Sequence, residues 1–393
     1  MDSSEKSYWW KLPVDIQAYI LRRLEGKTLL SLKLVSWDWY DVISYLCITT
    51  FAPPSPESAF CGFIYKRQGE GTRPISTGRL RYAELIRKAT FRVSYKGITD
   101  RLRQFQQSEE IQDCCNGILL VVSHDNDGGV SYSVFNPTTG ERIQVPRPLP
   151  HDYHTHNDRT QCCFASLAFD PAKSLNYKII YTLGGNITNP LKVEMFSSET
   201  GKWSRYVVDI DSKLDGVEWV HRSAYLDGRL YRLLNTNYLL CIKEGKSSEP
   251  LRVLAIGLPN GGSDNMYIDG DNCHGSIGIS MRRLHYSTRC RNGSTLLVYM
   301  LKDDGGWLLK YTIPIDDLLA DQSYVFFSAL KRTVNKYRNE AWFNFYDFHP
   351  NRDCFFLITP QHMLYYSPKE KFCLFTLPNY TPKFFPKGFL CKS

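Results

Sequence analysis

The sequence predicts a mainly β chain with a small α-helical head, and three observations carry this. Aromatic residues make up 14% of the 393 residues, and aromatics favour strands. Helical periodicity is concentrated between about residues 12 and 44. From about residue 58 onward one type of hairpin recurs, which predicts a β-propeller of about six or seven blades. At 43% hydrophobic and 22% charged, the chain has the make-up of an ordinary globular protein, so disorder throughout is excluded.

The head comes first, over about residues 1–50, and the β part follows over 51–393. Ile16, Ile20 and Leu24 lie at i, i+4 and i+8 and share one helical face. Pro13 suits a first helical turn, where its missing N–H is no loss. Gly26 is placed to end that helix in a left-handed cap. Leu29 and Leu32 begin a second apolar series, and Val35, Trp39 and Ile43 continue it at intervals of four. Two or three short helices result. They carry more large apolar groups than so small a head can bury by itself, so the head packs on the β part or on a partner.

Short aromatic and β-branched runs then alternate with turn residues: 60–67, 117–123, 177–183, 229–234 and 354–360. Residues 81–90 and 315–321 are modest helix candidates. The recurrent unit is a strand, a polar turn and a strand closing near proline. It is seen at 134–146, 195–207, 239–259, 297–314 and 364–378, with Thr-Gly in the turn of the first two. A pair of β-sandwiches is the competing architecture, and repetition of one hairpin along the whole tail disfavours it.

These residues carry a resemblance. Leu12, Pro13 and Asp15, then Ile20, Leu21 and Leu24, then Leu29, Leu30 and Leu32, then Val35, Trp39 and Ile43 follow in the order and spacing of an F-box. That module docks substrate receptors on the Skp adaptor of cullin-based ubiquitin ligases. The segments DCCNGILLVV (113–122), VFNPTTGERIQVPRP (134–148), LAFDPAKSLNYKII (167–180), VEMFSSETGKW (193–203) and YLDGRLYRL (225–233) are similar to motifs of plant F-box-associated domains, which are related to kelch-type propellers. Glu25, Ser36, Trp37 and Arg232 depart from the patterns, which have Pro, Cys, a basic residue and Trp there.

The resemblance implies a three-helix F-box and a substrate-recognition subunit of an SCF-type (Skp–cullin–F-box) ubiquitin ligase. Its adaptor-binding positions would be Leu12, Pro13, Ile16, Ile20, Leu24, Leu29, Leu32, Val35, Trp39 and Ile43. Which of them face the adaptor and which the head's own core stays open. The partners implied are a Skp-family adaptor, through it a cullin, and a target protein whose binding residues the sequence does not mark. The loops around 68–76, 124–130, 151–160, 184–190 and 260–275 are candidates because they are long and polar. The other reading is a free-standing binding propeller whose helical head engages no adaptor.

Catalytic and cofactor motifs are rejected one by one. Gly26-Lys27-Thr28 and Gly245-Lys246-Ser247 end like a phosphate loop, but Leu21 and Leu240 stand where its first glycine belongs. No Gly-x-Ser-x-Gly or Gly-x-Gly-x-x-Gly occurs. His151, His154 and His156 lie in a polar loop without a fixed ligand geometry, so no metal is expected there. Asp125–Asp127 and Asp303–Asp304 lack the alternating oxygens of a calcium loop. A propeller enzyme would need carboxylates converging in a central pocket. The chain is thus expected to be a non-catalytic subunit without cofactor.

The 12 cysteines include two adjacent pairs and no Cys-x-x-Cys, which reads as buried thiols in a reducing compartment. No apolar run of about 18 residues suggests a membrane span, and the N-terminus has no signal-peptide pattern. A cytoplasmic or nuclear location is expected, with the sequons at Asn186, Asn292 and Asn379 unused. The net charge of +8 is spread along the chain, unlike the concentrated stripe of a nucleic-acid binder.

Overall fold

The structure is a computed structural model. It describes residues 8–21, 24, 28, 31–32, 35–36, 39, 62–66, 80–87, 90–94, 98–106, 109–124, 130–137, 139–148, 164–171, 173–174, 176–182, 186–243, 251–259, 275–290, 295–314, 344–350, 352–358, 362–367, 371–376 and 389–391. In the head, a 3-10 turn, Tyr8–Lys11, leads into helix α1, Val14–Leu21. Pro13 sits just before it, its carbonyl accepting from the N–H groups of Ile16 and Gln17 at 3.0 Å. Residues 28, 31, 32 and 39 are also helical. Gly26 and the remainder of the expected helices lie outside the described residues.

The described strands form six four-stranded sheets, almost wholly antiparallel hairpins in sequence order. Sheet I runs β24 (Phe389–Cys391), β1 (Gly62–Lys66), β2 (Leu80–Arg87), β3 (Thr90–Ser94). Sheet II holds β4 (Glu109–Cys115), β5 (Ile118–His124), β6 (Val130–Phe135) and β7 (Arg142–Val145). Sheet III holds β8 (Phe164–Ala168), β9 (Lys178–Thr182), β10 (Leu191–Ser197) and β11 (Lys202–Val208). Sheet IV holds β12 (Trp219–Leu226), β13 (Arg229–Leu234), β14 (Tyr238–Lys243) and β15 (Arg252–Gly257). Sheet V holds β16 (Ser276–Ser280), β17 (Arg283–Arg289), β18 (Thr295–Leu301) and β19 (Trp307–Pro314). Sheet VI holds β20 (Asn344–Phe348), β21 (Phe355–Ile358), β22 (His362–Ser367) and β23 (Lys371–Thr376).

The innermost strands β24, β4, β8, β12, β16 and β20 lie beside one another in that order. This is a β-propeller, which limits exposed strand edges by radial repetition. Sheet I is completed from both ends of the β part: β24 pairs with β1 through Gly62↔Cys391, Phe63↔Leu390 and Ile64↔Phe389.

The hairpins expected at 134–146, 195–207, 239–259, 297–314 and 364–378 are the outer strand pairs of sheets II to VI. Their shared turn is visible in the first two, where the N–H of Gly140 donates to Asn136 O and that of Gly201 to Ser197 O, both at 2.8 Å. Both glycines have left-handed φ, 82° and 66°, where a Cβ would be strained. One expectation is corrected. Residues 81–90 were a helix candidate, but β2 runs as a strand from Leu80 to Arg87, hydrogen-bonded to β1 on one side and β3 on the other. Pairing on both sides outweighs local helix propensity. A one-turn helix at Ile98–Leu102, α2, stands in the connection to sheet II instead. The candidate at 315–321 lies outside the described residues.

Alternation along each strand sends apolar side chains between neighbouring sheets. Ile118, Leu120, Val134, Leu167, Phe169 and Ile179 fill the space between sheets II and III. Ile180, Val193, Leu230, Leu234 and Leu240 fill that between III and IV. Leu233, Leu239, Ile277 and Leu284 join IV to V, and Val298, Phe345, Phe355 and Leu357 join V to VI. At the rim, Trp203 Nε1 donates to Pro146 O at 2.8 Å and Trp307 Nε1 to Gly257 O at 2.7 Å. In each case the first tryptophan of an outer strand latches onto the preceding sheet.

Candidate functional site

Among the described side chains of α1, Gln17 and Leu21 are buried, at 4% and 2% exposure. The Gln17 Nε2 donates to the carbonyls of Trp9 and Leu12, at 3.0 and 3.2 Å, which ties the 3-10 turn to the helix. One residue earlier and three later, the surface is apolar: Ile16, Tyr19 and Ile20 are 41%, 51% and 37% exposed. Spaced i, i+3 and i+4, they form one patch. Val35 is exposed as well. Leu12, Leu24, Leu32 and Trp39 are half-buried, and Pro13 is exposed. Leu29 and Ile43 lie outside the described residues.

Trp39 stacks on Trp9 with ring centroids 4.8 Å apart, which joins the two ends of the head. Its N–H donates to Ser36 Oγ at 3.2 Å. A serine hydroxyl can accept in this way from a backbone N–H three residues on, which cysteine does poorly. Sequence reading left Tyr19 out of the patch and did not assign Gln17 to the core. The helical spacing from Ile16 was the available signal for Tyr19.

A second polar system runs along the propeller's inner strands. Asp113 sits at an irregularity of β4 and is buried. Its Oδ1 accepts from Cys114 N at 2.6 Å and its Oδ2 from Leu167 N of β8 at 2.8 Å. Ser166 Oγ lies 3.1 Å from Ser223 Oγ of β12. Arg222 reaches across to Ser276 Oγ of β16 at 2.6 Å and to Phe345 O of β20 at 3.2 Å. Polar side chains thus stitch the first strands of sheets II to VI together. Gly278 belongs to this belt, since a Cβ there would meet Asp347 Oδ1 at 2.6 Å.

Two buried bases stand near the belt. His285 Nδ1 faces Arg283 O at 3.0 Å, so the ring carries its hydrogen on Nδ1, and Nε2 faces Lys310 Nζ at 3.5 Å. Burial, with Lys310 close by, pushes its pKa down to about 4. Arg232 is buried against the rings of Trp219 and Phe164, and burial pushes it down to about 10.

His151, His154 and His156 lie outside the described residues. Among the described residues no group of three or more His, Cys, Asp or Glu could hold a metal ion. Asp304 serves its own hairpin turn, accepting from Gly306 N at 2.8 Å and from Lys302 Nζ at 2.9 Å. Cys241 is a buried thiol outside any disulfide. No helix among the described residues is long and apolar enough to cross a membrane.

A small helical head with an exposed apolar patch precedes a β-propeller. Comparison with known proteins gives the module. Residues 9–51 match the family model of the F-box domain. The F-box protein At5g07610 of Arabidopsis thaliana is 24% identical over 326 residues, covering 78% of this chain and 71% of that one. Among solved structures, a periplasmic gluconolactonase of Pseudomonas aeruginosa is similar at 10% identity, over 81% of this chain and 84% of that chain, with a TM-score of 0.39. A protein from Lactobacillus plantarum is similar at 13% identity, over 84% and 98%, with a TM-score of 0.38. The chain carries an N-terminal F-box domain, and a β-propeller follows it.

Proposed function

We propose that the chain is the substrate-recognition subunit of an SCF-type ubiquitin ligase. The F-box is read as three helices that dock on a Skp-family adaptor and through it on a cullin. The carrying observation is the exposed patch of Ile16, Tyr19 and Ile20 inside the residues that match the F-box model. Contiguous exposed apolar groups mark an interaction site, and covering them stabilises a complex by about 25 cal/mol per Å². Leu12, Pro13, Leu24, Leu32, Val35 and Trp39, with Leu29 and Ile43, complete the proposed docking positions. The protein then contributes proximity: it holds a target's lysine near the activated ubiquitin, and carries no catalytic groups of its own.

The six sheets are read as six blades, with β24 closing the ring. In each sheet the connections from second to third strand, and from fourth strand to the next sheet, leave at the same end. The segments 68–76, 124–130, 151–160, 184–190 and 260–275 are all connections of that kind. The head, by contrast, enters at Gly62, at the end where β24 finishes. We assign target binding to the loop end, facing away from the head's point of entry, in the cytoplasm or nucleus.

The test is co-purification of the full chain with a Skp-type adaptor, beside an Ile16→Glu/Ile20→Glu variant. The wild type is expected to give a stoichiometric complex and the variant none, with unchanged circular dichroism. Adaptor binding that survives both glutamates would remove the docking surface named here. A wild type that binds no adaptor would leave a free-standing binding propeller.

A further inference from the structure

Arg232 lies on β13, facing sheet III, with 3% exposure. Its Nη1 donates to Thr182 Oγ1 at 2.6 Å, its one hydrogen bond among the described residues. The Nε is buried and has no partner. Nη1 lies on the side of the guanidinium away from the Nε N–H, and no hydrogen bond of Nη2 occurs among the described residues. The Nε–Nη2 edge presents two parallel N–H donors, the fork that fits a carboxylate side-on. Asp113 attracts the guanidinium from beyond hydrogen-bond reach among the described contacts.

The surroundings repeat the same imbalance. The guanidinium lies 5.1 Å from the Trp219 ring and 5.4 Å from the Phe164 ring. Trp219 is itself buried, and its Nε1 has no partner. Trp219 opens β12, Phe164 opens β8 and Thr182 closes β9, so the group stands at the loop end of the propeller between sheets III and IV. Two buried N–H donors and a permanent cation therefore meet with no acid in contact. Arginine keeps its proton, and a buried charge whose nearby carboxylate, Asp113, makes no direct contact with it is disfavoured.

We propose that Arg232 and Trp219 form a carboxylate-binding site at the loop end of the propeller, with the guanidinium edge taking both oxygens and the indole N–H one of them. The rings of Phe164 and Trp219 both lie against the cation and keep water from competing. The carboxylate belongs either to a free small acid or to an acidic side chain of a bound protein. Its presence does not depend on the adaptor reading.

The experiment follows the thermal midpoint of the full chain in sodium acetate, sodium phosphate and a blocked aspartate peptide, each balanced with sodium chloride to constant ionic strength. A ligand that binds the folded state alone raises the midpoint in a saturable way. Acetate is expected to do so for the wild type. Trp219→Phe, which removes the N–H donor and keeps a smaller aromatic ring, is expected to raise the half-saturating concentration at least about fivefold. Arg232→Lys keeps the charge but loses the fork, and the saturable rise should vanish. A peptide acting at concentrations well below acetate would identify the source as a protein, and acetate acting alone a free acid. The proposal fails if all three chains respond alike, if the wild type does not respond, or if phosphate acts more strongly than acetate. Should Arg232→Lys not fold, the Trp219→Phe comparison decides.

Discussion

His285 sits on β17 with its ring 5.1 Å from that of Phe348 and its Nε2 toward Lys310. Protonation would place a second cation beside an ammonium in a buried site. Its pKa of about 4 in the fold lies below the ordinary 6.5, so the unfolded chain binds more protons between those values. The stabilising contribution is present above pH 6.5 and is lost as pH falls toward 4. At about 1.4 kcal/mol per unit, the full loss is on the order of 3 kcal/mol. Urea midpoints at pH 7 and pH 4.5 should therefore diverge in the wild type, and His285→Asn should narrow the gap. Neither His285 nor Arg232 could be read as buried from its own segment. RLYRLL announces a strand, and Arg232 was visible only as a departure from tryptophan. What makes it unusual is Thr182, Phe164 and Trp219, which two other strands and β12 bring to it.

The first hairpins of sheets II, IV and V turn on residues with left-handed φ. Asn116-Gly117 and Asp227-Gly228 do so with φ of 46° and 92°, and 51° and 80°, as the residue types of a tight hairpin predict. Met281-Arg282 makes the same turn with φ of 49° and 56° and no glycine. Its backbone is held from outside. Met281 N donates to Pro350 O at 2.8 Å, and Arg282 pairs with Asp227 of the neighbouring turn at 2.9 Å. A left-handed residue with a long side chain costs about 1 kcal/mol. Met281→Asn keeps the backbone bond, tolerates this φ and loses an exposed side chain. It should raise stability by up to about 1 kcal/mol, read as a higher urea midpoint at unchanged slope. The outer hairpins were legible because alternation and Thr-Gly, Asp-Gly or Pro turns coincide there. The Met281-Arg282 turn was not, since contacts with sheets IV and VI, rather than its own residues, hold it. In the head, the spacing of Ile16 and Ile20 revealed a helix but not that Gln17 and Leu21, one position on, form its inner face.

At the scale of the molecule, sheet I depends on one short pairing for its inner strand. Three residue pairs join β24 to β1, and β24 also lies next to β4. Deleting residues 389–393 should leave β1 without an inner neighbour. The expected result is a lower thermal midpoint, with amide exchange protection lost first in β1, β2 and β3, while sheets III to V retain theirs. Equal protection in the shortened chain would assign closure to the contacts between sheets instead. The same pairing has a consequence during synthesis. A ribosome releases β1 with nearly all of the propeller still to be made, and its partner emerges only after the strands of sheets II to VI. Until then the nascent chain carries a strand edge that could join a neighbouring chain. Holding that edge apart, for the time translation takes, is work for a chaperone, and a message truncated before Phe389 would yield a protein that never leaves that state.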